Sequence, residues 1–133
     1  MIDPNFPLAS WFLLASAGIY LIGYALPMLM APLEWAEWFN WKLPTETELV
    51  TYLGRSLGAI FFAFALVCLW AAPDPWGNLQ IFQLVIVVGT ALTVVHVWGA
   101  VKKRQPAVES WEIVFLVLWT GLAVYFWRVL ATQ

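Results

Sequence analysis

Four long apolar runs, separated by short polar stretches, organise the chain. They extend over about residues 8–31, 49–72, 79–101 and 107–131. A helix rises about 1.5 Å per residue and needs about 20 residues to cross a hydrocarbon core of roughly 30 Å. Each run is therefore long enough to span a bilayer as a helix. Pro27 predicts a kink near the end of the first span.

A short aromatic segment, residues 33–43, follows the first span. A helical wheel places Trp35, Trp38 and Phe39 on one face and two glutamates on another. This pattern is typical of an amphipathic helix that lies in the membrane plane, with Trp35, Trp38 and Trp41 as anchors at headgroup level. An aromatic-rich loop that dips into the interface is the alternative.

The start of the second span combines a helix cap, a packing signal and a charge. Thr45 and Glu48 have the spacing of a capping box, in which Thr45 is the N-cap. Gly54 and Gly58, four residues apart, predict close contact with another helix, within the chain or between chains. Arg55 lies between them, well inside an apolar run, where a charge needs a partner.

Composition narrows the class of protein. The chain is 63% hydrophobic and 11% charged, whereas soluble domains carry roughly 25% charged residues. We therefore expect an all-α, polytopic membrane protein: one domain, a four-helix transmembrane bundle with a short interfacial segment. A net charge of −2 gives no reason to expect a nucleic-acid partner, and the lone Cys68 excludes an internal disulfide.

The distribution of basic residues predicts the orientation. With four spans, both termini lie on one side of the membrane, and Arg128 is the one basic residue on that side. The opposite side would hold Lys42, Arg55, Lys102, Lys103 and Arg104. Basic residues favour the cytoplasmic side. Both termini are therefore expected on the non-cytoplasmic side.

Three ionisable residues recur at one depth on three different spans. Arg55, His96 and Glu112 each lie about six residues, or about 9 Å, inside a helix from the same side. We expect them to form an inward polar cluster, with Tyr52 and Glu109 about one turn nearer the cytoplasm. Arg55 is the natural partner of Glu112.

The cluster has more than one interpretation. In the first interpretation, the cluster holds the helices in register or binds lipid headgroups. In the second, it forms a ligand-binding or catalytic site. His96 is expected to be a packing histidine rather than a metal or cofactor ligand, beside the small-residue stripe of Gly89 and Thr93. Because one histidine cannot form bis-histidine haem and zinc would lack nitrogen and sulfur ligands, no metal is expected. The sequence identifies no cofactor, and it contains no phosphate-binding loop, nucleophile elbow or HExxH motif.

The layout resembles the DoxX-like group of small bacterial four-helix membrane proteins. The resemblance depends on Gly54-Arg55-Ser56-Leu57-Gly58 at the start of the second span and on His96 late in the third. It implies an accessory protein of the bacterial inner membrane and assigns no catalytic residue.

Two functions follow as hypotheses. The first is a non-catalytic accessory subunit, which packs against membrane lipids and other subunits, or against copies of itself, through small-residue and aromatic helix faces. The second is a binder of a lipophilic molecule such as a lipid, quinone or sterol-like compound, alone or as an isomerase or reductase fragment. Its headgroup would meet the polar cluster from the cytoplasmic side.

Overall fold

The computed structural model describes residues 2–133, which form helices joined by short turns, with no strand among them. Four helices in this part of the chain are long and apolar enough to cross a membrane: Pro7–Met30, Glu48–Ala71, Leu79–Val101 and Ala107–Ala131. The chain divides into two compact units, the first ending at Asp74 and the second comprising Pro75–Gln133. The predicted assembly of all four helices into one bundle stays a prediction.

The first span of the N-terminal unit is not a uniform α-helix. It consists of α1 (Pro7–Gly18), a π-helical segment (Ile19–Ala25) and α2 (Leu26–Met30). Pro27 has no N–H, so it cannot donate to the Gly23 carbonyl in the usual i→i−4 pattern. The departure from α-helical geometry thus lies in the turns that precede the proline.

A short helix, α3 (Pro32–Trp38), follows after a single residue. It ends in a Schellman motif: Trp41 N–H donates to the Ala36 carbonyl and Asn40 N–H to that of Glu37. Asn40 takes the left-handed conformation that this motif requires, with φ of 62°. The aromatic segment therefore contains a helix rather than only a loop, although the helix is shorter than residues 33–43.

The next helix, α4 (Glu48–Ala71), begins later than its cap signal predicts. Thr47 is the N-cap and makes no side-chain capping bond, so the predicted capping box from Thr45 is wrong. Both predicted packing glycines face the preceding segment. A Cβ on Gly54 would lie 2.7 Å from Cβ of Pro32, and one on Gly58 would lie 2.9 Å from the backbone nitrogen of Leu29.

Aromatic rings fill the contact between the first span and α4. The Tyr20 ring stacks on Phe61 at a centroid distance of 5.8 Å and meets Phe64 edge-on at 4.8 Å. Ala65 and Cys68 are fully buried on the same helix, about one and two turns after Phe61. This core fixes the position of α4 against the first span.

The C-terminal unit is an antiparallel pair of helices, α5 (Leu79–Val101) and α6 (Ala107–Ala131). The buried residues of α6 recur every seven positions, as in a helix packed along one seam: Glu109, Leu116, Ala123 and Leu130. A Cβ on Gly89 would collide with the Thr120 side chain, so the small-residue stripe of α5 faces α6.

Candidate functional sites

Three ionisable side chains meet where α5 ends and α6 begins. Nε2 of His96 lies 3.0 Å from Oε2 of Glu109 and 3.6 Å from Oε2 of Glu112. One ligand atom from each of the three residues lies within 4.8 Å of the others. We call these residues the His–Glu–Glu cluster.

The side chains of this cluster are largely buried. The exposed fractions of the His96, Glu109 and Glu112 side chains are 15%, 9% and 14%. Glu109 and Glu112 are three residues apart and so share one face of α6, while His96 reaches them from α5. The nearer carboxylate belongs to Glu109, which was expected one turn away from the cluster.

A backbone contact fixes the orientation of the imidazole ring. Nδ1 of His96 lies 2.8 Å from the Leu92 carbonyl oxygen, which can only accept a hydrogen bond, so Nδ1 carries the proton. In the neutral ring, Nε2 then has a lone pair that faces the Glu109 carboxylate. Two acceptors at 3.0 Å need a proton or a metal cation between them.

The other predicted cluster members lie on α4, in the N-terminal unit. Tyr52 and Arg55 are exposed, and with Glu48 and Ser56 they line a shallow concave face of this single helix. The Ser56 hydroxyl donates to the Tyr52 carbonyl at 2.9 Å. Because Arg55 belongs to one unit and the His–Glu–Glu cluster to the other, the predicted Arg55–Glu112 pair stays a prediction.

The N-terminal unit contains an apolar groove. It has a volume of about 350 Å³ and lies between α3, the turn after it and the first half of α4. We call it the α3–α4 groove; its lining is apolar except for Lys42 and consists of Met28, Pro32, Trp35, Ala36, Trp41, Lys42, Leu43, Pro44, Val50, Leu53, Gly54 and Leu57.

The sequence indicated only parts of this groove. Trp35 and Trp41 were predicted as interfacial anchors, and they line it, whereas Trp38 is exposed to 68% of its surface and lies outside it. Gly54 was predicted as a packing residue, and its lack of a side chain lets Pro32 approach. Leu53 and Leu57 were missed, because nothing in an apolar run distinguishes a groove-lining leucine from a lipid-facing one.

Comparison with protein-family models, curated proteins and solved structures finds no match. The resemblance to the DoxX-like group stays a prediction.

Proposed function

We propose that this is an integral membrane protein that binds a lipid-like molecule, with an apolar chain and an anionic headgroup, in the α3–α4 groove. The groove itself supports the proposal most directly. Ligand pockets typically have volumes of about 300–1,000 Å³ and a mostly apolar lining with few polar groups. The α3–α4 groove, at about 350 Å³ and with a single charged residue, fits that description.

Lys42 gives the groove a direction. Its ammonium group is suited to a phosphate or carboxylate, while Met28, Leu53 and Leu57 offer an apolar surface to a chain. In the proposed orientation this end of α4 faces the cytoplasm, so the headgroup would lie at the cytoplasmic interface. Lys42 would remain near water while the chain enters the hydrocarbon region.

The accessory-subunit hypothesis loses part of its basis. It relied on small-residue faces that would be free for partner helices. Instead, Gly54 and Gly58 contact the segment between Met28 and Pro32, and Gly89 contacts Thr120 within the C-terminal unit. These residues are used inside the chain, which favours the ligand hypothesis.

The test is the amount of lipid that stays bound after exhaustive exchange into detergent. Leu57→Trp places a bulky indole in the groove, where it would occupy the space of the bound chain. We expect retention to fall about tenfold or more, which corresponds to a loss of about 1.4 kcal/mol or more of binding free energy. Lys42→Glu repels the headgroup and should reduce retention of anionic lipids selectively. Lipid extracted from equal amounts of purified protein is quantified by mass spectrometry.

Matched controls separate the groove from the general lipid surface. Leu66→Trp alters another exposed leucine of α4, and Lys102→Glu another exposed lysine; both lie outside the groove. Neither should change retention. Equal loss in test and control variants, or a purified protein that carries a partner protein and no lipid, would support the accessory-subunit hypothesis instead.

A further inference from the structure

We propose that the His–Glu–Glu cluster of His96, Glu109 and Glu112 is a binding site for one divalent first-row transition-metal ion. The site lies in the C-terminal unit, whereas the α3–α4 groove lies in the N-terminal unit. The metal-site proposal and the lipid-binding proposal can therefore be tested independently of each other. The expectation of no metal site counted only nitrogen and sulfur ligands, and two carboxylates now complete a set of donors.

Two of the three donor–donor distances are close to those in a coordination sphere. With metal–ligand bonds of about 2.1 Å, neighbouring donors lie about 3.0 Å apart in octahedral and about 3.4 Å apart in tetrahedral geometry. His96 Nε2 lies 3.0 Å and 3.6 Å from the two carboxylate oxygens. Small rotations of the glutamate side chains would bring all three donors to one ion.

The imidazole is oriented as a metal ligand requires. Histidine ligands usually donate their other ring N–H to a carboxylate or a backbone carbonyl, which fixes the tautomer and directs the lone pair at the metal. Nδ1 of His96 lies 2.8 Å from the Leu92 carbonyl in this way. A cation between Nε2 and Glu109 also resolves the contact between two acceptors.

The donor set selects the class of ion. One imidazole and two carboxylates suit Zn²⁺, Mn²⁺ or Fe²⁺, whereas Mg²⁺ prefers oxygen ligands alone. Three protein ligands would leave at least one coordination position for water or for an oxygen of a bound molecule. The ion would also clamp α5 to α6 beside their connecting turn.

The test uses the full-length protein in detergent, stripped with a chelator and titrated with Co²⁺ and Zn²⁺. We expect one saturable site per chain, with visible absorption bands for Co²⁺ that Zn²⁺ abolishes and excess Mg²⁺ does not. His96→Gln and Glu112→Gln should each weaken binding about tenfold or more, and the control Glu48→Gln, an exposed glutamate of α4, should not.

Two results would overturn the proposal: no saturable binding to the folded wild-type protein, or equal affinity in the cluster variants and the control. If the cluster variants fail to fold, X-ray absorption of the zinc-loaded wild type decides. Imidazole scattering with one nitrogen at about 2.0–2.1 Å supports the site, and a purely oxygen shell contradicts it. A shared proton in place of the ion predicts no metal binding in any of these measurements.

Discussion

The indole N–H of Trp35 donates to the carbonyl oxygen of Gly23 at 2.9 Å. Gly23 lies four residues before Pro27, which lacks the N–H that would otherwise bond this carbonyl. A side chain of α3 thus replaces a missing backbone donor of the first span. The same indole lines the α3–α4 groove, so one residue contacts both the π-helical segment of the first span and the groove.

This relationship predicts a thermodynamic coupling between Trp35 and Pro27. Trp35→Phe keeps an aromatic ring but leaves the Gly23 carbonyl without the indole donor, at a cost of about 1–3 kcal/mol. The midpoint of thermal unfolding in detergent, followed by circular dichroism, should fall accordingly. In a Pro27→Ala background a backbone N–H is restored, and the same substitution should cost clearly less. Equal effects in both backgrounds would show that the proline and the indole are independent.

The effect of a glycine-to-alanine substitution on stability should depend on which atoms the added Cβ would contact. Gly58→Ala places a Cβ against the Leu29 backbone, which cannot move away like a flexible side chain, and overpacking of this kind costs about 1–3 kcal/mol. Gly18→Ala is the matched control, because its Cβ would meet nothing within 4 Å. Alanine there should be neutral or stabilise the helix by up to about 1 kcal/mol. The same melting experiment compares them, and similar melting points for both variants would exclude close packing at Gly58.

The turn between α5 and α6 holds a lysine in an unfavourable conformation. Lys103 has φ of 52°, a left-handed conformation that costs an L-residue roughly 1–2 kcal/mol relative to glycine. Lys103→Gly should therefore raise the unfolding midpoint. Lys102→Gly should lower the unfolding midpoint for two reasons. Lys102 has a right-handed backbone, with φ of −79°, and its ammonium group lies 4.9 Å from the centroid of the Trp98 ring. A stabilising effect of both glycines would point to charge removal rather than to backbone strain.

The proposed orientation is tested by cysteine labelling in intact cells. Cys68 is buried, and Cys68→Ala provides a background without an internal thiol. Arg104→Cys should resist an impermeant thiol reagent until the cells are opened, because its turn is expected on the cytoplasmic side. Gln133→Cys, at the exposed C-terminus, should react from outside. The reverse pattern would invert the topology and place Lys42 on the outer side.

The four long helices could be predicted from the sequence because a helix able to cross a bilayer obeys a simple rule of length and composition. The exact helix ends and the departures from α-helical geometry depend on contacts between distant residues, which the hydrophobic pattern does not show. The helix after α3 begins at Glu48 with Thr47 as its cap, two residues after the Thr45 that the local pattern favours. In the π-helical segment Ile19–Ala25, the Gly23 carbonyl accepts a hydrogen bond from Trp35, a residue outside the span that the pattern of the span does not indicate.

The His–Glu–Glu cluster could be predicted from the sequence in part, whereas the α3–α4 groove could not. Equal depth on neighbouring spans indicated that His96 and Glu112 belong together, and both lie in the cluster. The backbone carbonyl of Leu92 fixes the ring orientation of His96, and no residue pattern encodes that contact. The α3–α4 groove was not predicted, because it arises where the chain turns between α3 and α4, and the hydrophobic pattern within each helix does not show that turn.

Native mass spectrometry of the gently purified wild-type protein tests the central proposal most directly. The proposed function predicts one dominant adduct with the mass of an anionic lipid-like molecule, retained at collision energies that remove detergent and bulk lipid. The same adduct should be reduced about tenfold or more in Leu57→Trp and unchanged in Leu66→Trp. A bare chain, a heterogeneous set of weakly held lipids, or a stable complex with another membrane protein would contradict the assignment of the α3–α4 groove as a ligand site.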